Sequence, residues 1–165
     1  MIQIYTGEGK GKTTASIGLA VRASKHFKVL FTQFIKNGES SEIGVLKSLP
    51  SIDAKSFGNG DWILPDSDKS IEKKNAHSAV KYVRGNFAGY DVIILDEAVT
   101  AVDLGLISED EILELLSEIS ENKEIIMTGR GATKKMIERA DLVTEMKKIK
   151  HYYEKGVKAR KGIEL

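Results

Sequence analysis

The sequence predicts a single α/β domain spanning residues 1–165, with a mostly parallel sheet covered by helices on both faces. Three observations carry that expectation. Short apolar runs alternate with longer segments of helical periodicity, the pattern of strands joined by crossover helices. A Gly-rich turn ending in Gly11-Lys12-Thr13 sits between the first apolar run and the first helical segment. A later apolar run, Val92–Leu95, ends in two adjacent carboxylates, Asp96 and Glu97.

Taken in order, the expected strands are Ile2–Tyr5, Val29–Phe34, Asp53–Phe57, Val92–Asp96, Glu124–Thr128 and Leu142–Met146. Each is short, and most are apolar and bounded by turn-forming residues, as buried strands are. The expected helices are Lys12–His26, Asp68–Phe87, Ser108–Ile119 and Thr133–Ala140. The third opens on Ser108 with Glu111 three residues on, the spacing of a reciprocal capping box. Its apolar residues Ile112, Leu115, Leu116 and Ile119 recur at helical spacing and are expected to face the sheet. Pro50 and Pro65 flank the Gly-rich stretch Phe57-Gly58-Asn59-Gly60-Asp61-Trp62, which reads as a long functional loop.

Composition narrows the function. The chain has 165 residues, enough for one buried core, with 41% hydrophobic and 30% charged residues and a formal charge of +1. That balance provides no general field for nucleic acid or a membrane surface. With no cysteine, thiolate metal sites, disulfides and a cysteine nucleophile are excluded. No apolar run spans a membrane, and Met1–Tyr5 reads as a strand rather than a signal peptide, so a cytoplasmic location is expected. Two stretches are locally biased. Ser108–Glu124 is acidic and reads as a solvated face. Lys147–Lys161 holds seven Lys or Arg residues against Glu154 alone, and suits an anionic ligand or a partner subunit.

The strongest motif is Thr6-Gly7-Glu8-Gly9-Lys10-Gly11-Lys12-Thr13-Thr14. Between a strand and a helix, such glycines let the backbone curl its N–H groups toward phosphate oxygens, and the helix adds its positive dipole end. Lys12 supplies a mobile cation, and the Thr13 hydroxyl is a ligand for Mg²⁺. The domain is therefore of the P-loop NTPase type, RecA-like. The loop is one residue short: the first glycine of the usual spacing falls at Thr6, and the glycine is Gly7. A dinucleotide-binding pattern is excluded because Lys12 stands where its third glycine would be, and the second strand ends in Gln33 rather than an acid.

The strand ending in Asp96 and Glu97, expected beside the first strand, brings an acid to the metal near the phosphates. Arg130, between Gly129 and Gly131 at the end of another strand, faces the same ligand-binding edge. Arg22, further along the first helix, is a weaker candidate on the sequence alone. The three histidines, His26, His77 and His151, form no catalytic or metal-binding spacing, so general bases are scarce beyond Glu97.

These residues, with Gln33-Phe34-Ile35-Lys36, Thr128-Gly129-Arg130-Gly131, Ala140–Met146, Lys150-His151 and the tail motifs Gly156-Val157-Lys158-Ala159 and Gly162-Ile163-Glu164, resemble the P-loop type corrinoid adenosyltransferases nearly end to end. The resemblance implies that ATP lies reversed in the loop with its ribose 5′ carbon open. Co(I) of a reduced corrinoid attacks, and triphosphate leaves. It assigns Lys12, Thr13 and Glu97 to charge neutralisation with Mg²⁺, places Arg22 beside the adenosine and maps a corrinoid-facing aromatic onto Trp62. It also implies a homodimer and a flavoprotein reductant. Glu8 replaces the family's usual Asn, Gly60 replaces a second aromatic, and an N-terminal extension of some members has no counterpart. Two rival readings stand beside this one: an ordinary P-loop ATPase or kinase, against which the shortened loop counts, and a nucleotide-binding module with a decayed corrinoid site, which Gly60 and the lack of that extension favour.

Overall fold

In the computed structural model the described residues are 1–60, 63, 67–119 and 121–164. In chain order the elements are β1 (Ile2–Thr6), α1 (Lys12–Ala23), β2 (Val29–Gln33), α2 (Ser41–Lys47), β3 (Ile52–Ser56), α3 (Ser70–Asn86), β4 (Val92–Asp96), α4 (Ala98–Asp103), α5 (Glu109–Glu118), β5 (Glu124–Thr128), α6 (Lys134–Arg139) and β6 (Leu142–Glu145). The strands form one sheet in the order β3-β2-β4-β5-β1-β6, and every pairing is parallel.

The alternation of strand side chains builds two cores. Leu30, Ile93, Leu95, Ile125 and Met127 pack against α3 and α5. Val29, Phe31, Ile94 and Ile126 point the other way and meet Ala20 of α1 and Ile43 and Leu46 of α2. Each fully buried branched or aromatic side chain contributes roughly 1.5–3 kcal/mol, so both faces need their helices. The edge strand β6 differs, with all four residues exposed.

Helix α5 buries Ile112, Leu115 and Leu116 as its periodicity predicts. Half of its capping box forms: the Glu111 N–H donates to Ser108 Oγ at 3.1 Å. The Glu111 carboxylate instead lies 3.3 Å from His77 Nε2. The acidic face is not simply solvated, because Glu118 pairs with Arg84 at 2.7 Å and Glu109 with Lys135 at 3.1 Å.

Three expectations change. Helix α1 ends at Ala23 rather than His26, where the Ser24 hydroxyl bonds the Val21 carbonyl. Helices α2 and α4 lie in segments with no predicted helix. Strand β4 is not beside β1, since β5 lies between them. The carboxylates of β4 still reach the loop after β1, because α1 packs across β5 and β4 on its way to β2.

Candidate functional site

The loops that follow β1, β2, β3, β4 and β5 leave the sheet at one edge and surround a cleft of about 930 Å³. Its floor is the Lys10–Thr14 turn, and Lys36, Glu97 and Arg130 also line it. Ile17, Ile35, Val45, Ile63 and Leu104 give the walls an apolar character.

The phosphate loop folds as its glycines require. Gly7 and Gly11 have φ of 98° and 118°, a region that side chains rarely occupy. Gly11 caps α1, and the first bond into the helix runs from the Ala15 N–H to the Gly11 carbonyl at 2.8 Å. The N–H groups of Lys12, Thr13 and Thr14 precede that bond, the arrangement that suits an anion. Gly9 serves a different purpose from the one predicted. Its N–H donates to the Met146 carbonyl at 2.6 Å, and an added Cβ would lie 2.6 Å from that same oxygen. The chain leaving β6 thus presses against the back of the loop.

Lys12 Nζ donates to the carbonyls of Gly7 at 2.6 Å and Gly9 at 2.8 Å. Burial first, and then the charge of Arg130, lower its pKa. Thr13 Oγ1 donates to Asp96 Oδ1 at 2.9 Å. Asp96 is fully buried and also receives Thr128 Oγ1 at 2.7 Å and Gln33 Nε2 at 3.2 Å. Glu97 follows with a left-handed backbone, φ 61°, at the cap of α4. Among the described residues it is the non-glycine with positive φ, a conformation that costs roughly 1–2 kcal/mol. Burial, followed by the charge of Asp96, raises the Glu97 pKa to about 7, against the opposing pull of Lys36, Lys12 and Arg130.

Arg130 stands at the cleft in a turn pressed onto α4. A Cβ on Gly129 would come within 2.3 Å of the Thr100 nitrogen, and one on Gly131 within 2.2 Å of Asp103 Oδ1. The Arg130 N–H donates to Thr100 Oγ1 at 3.0 Å, and its guanidinium lies 3.5 Å from exposed Glu8. The unusual acid of the loop is thus held on the guanidinium.

The oxygen set of Thr13, Asp96 and Glu97 fits Mg²⁺, which binds few protein carboxylates and completes its shell with water and phosphate. Among the described residues no cluster of three or more His, Cys, Asp or Glu could hold a metal alone. The carboxylate pressure on Glu97 is the kind of charge that a cation there relieves.

Most predicted residues therefore converge. Lys10, Gly11, Lys12, Thr13, Thr14, Glu97 and Arg130 line the cleft, with Asp96 behind Thr13. Gly7, Glu8 and Gly9 form the outer part of the loop. Arg22 is not brought there: it is exposed in the last turn of α1, about 15 Å along the helix from Lys12. Trp62 and Asp61 lie outside the described residues. The sequence reading gave no individual role to Lys36, Thr128 or Gly162-Ile163-Glu164. Lys36 Nζ is 3.6 Å from Glu42 and 3.9 Å from Asp96. Gly162, Ile163 and Glu164 line the cleft, tied to the loop by Lys10, whose Nζ is 3.0 Å from the Ile163 carbonyl and 3.4 Å from Glu164. Glu164 also receives Arg160 and Tyr152, so part of the basic tail is neutralised within the chain.

Residues 1–165 match the family described as ATP:corrinoid adenosyltransferase BtuR/CobO/CobP. A corrinoid adenosyltransferase of Pseudomonas aeruginosa is 35% identical over the whole of this chain and 83% of its own length. One from Escherichia coli K12 is 33% identical, covering 99% of this chain and 85% of its own. The corrinoid adenosyltransferase CobA of Salmonella typhimurium is 30% identical, with 99% and 85% covered.

Proposed function

The chain belongs to the ATP:corrinoid adenosyltransferase family, and from that membership we propose how its cleft works. The enzyme transfers the adenosyl group of ATP to a corrinoid. In the proposed reaction Co(I) attacks the ribose 5′ carbon. A Co–C bond forms, the C5′–O bond breaks, and its electron pair leaves with triphosphate. Co(I) carries no proton, so the step needs no general base. It needs alignment and neutralisation of the leaving charge.

Lys12 releases the Gly7 and Gly9 carbonyls and takes triphosphate oxygens, while the N–H groups at the start of α1 bind the same anion. Thr13 with Asp96 and Glu97 holds Mg²⁺, which supplies further charge neutralisation when bound. Arg130, at the end of β5 between β4 and β1, lines the same cleft and is partly balanced by Glu8. The apolar walls suit a base or a corrin face better than a second phosphate. By family analogy Trp62 is proposed to act on the lower face of the corrinoid, whereas the adenosine role implied for Arg22 does not fit its place at the far end of α1. A homodimer, a flavoprotein reductant and a cytoplasmic location are proposed on the same analogy. Among the described residues no helix is long and apolar enough to cross a membrane.

The observation that carries this reading is the meeting of Thr13 and Asp96 at 2.9 Å beside Lys12, at the floor of a cleft with apolar walls. Incubation with MgATP and chemically generated cob(I)alamin tests it. Adenosylated corrinoid and triphosphate are expected in equal amounts. ADP and phosphate released in step with turnover would overturn it. For Trp62→Ala, turnover of Co(I) substrate is expected to survive, with the loss confined to Co(II) supplied with a protein reductant. Equal loss in both assays, with a lowered melting temperature, would make Trp62 a packing residue.

A further inference from the structure

Asp96 is held from a direction that no sequence motif announces. A carboxylate accepts hydrogen bonds, so the Gln33 amide beside Asp96 Oδ2 must present its nitrogen, at 3.2 Å. The amide oxygen then faces away, and Ser56 Oγ donates to it at 2.8 Å. The order of donors is therefore fixed along the whole chain: Ser56 to Gln33, Gln33 to Asp96. Gln33 is fully buried, so no water competes for these bonds. At the far end Thr13 Oγ1 donates to the other oxygen of the same carboxylate.

The chain begins where β3 gives way to the Gly-rich segment. The Phe57 N–H donates to the Gln33 carbonyl at 3.0 Å, and the Gly58 N–H to the Lys36 carbonyl at 3.1 Å. A Cβ on Gly58 would lie 1.5 Å from the Ile35 carbonyl oxygen, so the backbones touch there without room for a side chain. The segment after β3 is thus locked to the loop after β2 at the place where Ser56 starts the relay.

We propose that Gln33 and Ser56 are positioning residues, which fix the rotation of the Asp96 carboxylate and so the aim of the Thr13 hydroxyl toward the metal. The proposal rests on the metal and phosphate roles given above. Without the amide, Asp96 Oδ2 keeps Lys36 at 3.9 Å among the described residues, and the carboxylate can pivot about Oδ1, which Thr13 and Thr128 hold. Partners one shell out from a metal site commonly change its affinity about 10- to 100-fold when removed.

The test is calorimetric titration of ATP into the full chain over a series of Mg²⁺ concentrations and in EDTA, with the melting temperature measured in parallel. For Gln33→Leu the Mg²⁺ concentration giving half-maximal affinity should rise about tenfold. Ser56→Ala should shift it in the same direction by less, and Ser56→Thr, which keeps the hydroxyl, should restore it. ATP affinity in EDTA should stay within about twofold of wild type in all three. Wild-type Mg²⁺ requirements in Gln33→Leu and Ser56→Ala would overturn the proposal, as would an equal loss of affinity with and without Mg²⁺. If Gln33→Leu does not fold, the two Ser56 variants decide the matter. A wild-type chain whose ATP binding ignores Mg²⁺ would overturn the metal role itself along with this inference. Wild-type Mg²⁺ dependence with unaffected variants would overturn the inference alone.

Discussion

The two edges of the sheet are ends of the same strands, yet they close their polar groups by different means. At the amino edge, polar groups pair with one another across the ends of the strands. The Ile2 N–H donates to Asp141 at 2.6 Å, the Lys28 N–H to Asp91 at 2.9 Å, and the Tyr90 hydroxyl to Asp53 at 2.6 Å. The N-terminal ammonium meets the Lys123 carbonyl at 2.7 Å. At the carboxyl edge, Lys12 leans on loop carbonyls, and Glu97 sits half-buried beside Asp96 in a strained backbone. Burial opposes the charged form of both Lys12 and Glu97. One edge is satisfied by the chain itself; the other gathers perturbed charges around a cleft, and such groups mark functional sites.

The largest break in this contrast should come from Lys12→Ala. Losing a charge-assisted contact of roughly 1.5–3 kcal/mol should weaken MgATP binding by about 10- to 100-fold. Because burial and Arg130 already oppose the ammonium, the melting temperature without ligand should not fall. Calorimetry with a thermal melt checks both halves. A parallel loss of stability would make Lys12 a scaffold residue.

Glu97→Gln should reduce Mg²⁺-dependent turnover about tenfold, the low end for a residue at a metal site. Its effect on stability has the opposite sign. The folded pKa is raised from 4.5 to about 7, so stability is fully present below pH 4.5 and is lost as pH rises through about 7. In ligand-free protein, the fall in melting temperature between those values should be smaller in Glu97→Gln than in wild type. Identical pH profiles would remove this pressure from the account of the site.

At the amino edge the expectation reverses. Asp141→Ala should leave turnover unchanged and lower stability by about 1–2 kcal/mol, since the Ile2 N–H loses a charged acceptor. For a chain of this size that is a few degrees in melting temperature. Unequal kinetic parameters would show that the two edges are coupled.

The smallest effect should belong to Tyr90→Phe, at about 0.5–1.5 kcal/mol near neutral pH for one hydrogen bond. The bond to Asp53, then burial, raises the Tyr90 pKa from 10.0 to about 12. Its stabilisation is therefore complete below pH 10 and is lost as pH rises through about 12. Denaturant unfolding of both proteins across that window should show the curves converging.

Much of the carboxyl edge was legible because its chemistry is written in consecutive residues. Gly11-Lys12-Thr13, Asp96-Glu97 and Gly129-Arg130-Gly131 each bring a cleft-lining residue to the carboxyl edge, and the runs Val92–Asp96 and Glu124–Thr128 are strands β4 and β5 residue for residue. What stayed hidden depends on neighbours distant in sequence. The insertion of β5 between β1 and β4 follows from how the crossovers pack, which no local pattern records. Gln33 reads as the last residue of a strand until Asp96 and Ser56 flank it. Thr128 and Lys36 become visible in the same way. Helices α2 and α4 have seven and six residues, too few for periodicity to register, and the Val99, Thr100 and Val102 of α4 resemble a strand. The glycines were recognised, but part of their purpose was not: Gly7 and Gly9 make room for Met146 as well as for a ligand.

That last contact also bears on how the protein comes into being. The nucleotide loop is written in residues 6–14, far ahead of Met146 in the order of synthesis, but its back wall is Met146. That residue is tethered by its N–H to the Thr6 carbonyl at 2.8 Å and accepts from Gly9 at 2.6 Å. Contacts between such distant parts of a chain form late, after the cost of closing the long intervening segment has been met. A nascent chain holding the complete loop sequence therefore still lacks the loop's shape. Nucleotide capture becomes a property of the finished fold, acquired when β6 docks beside β1.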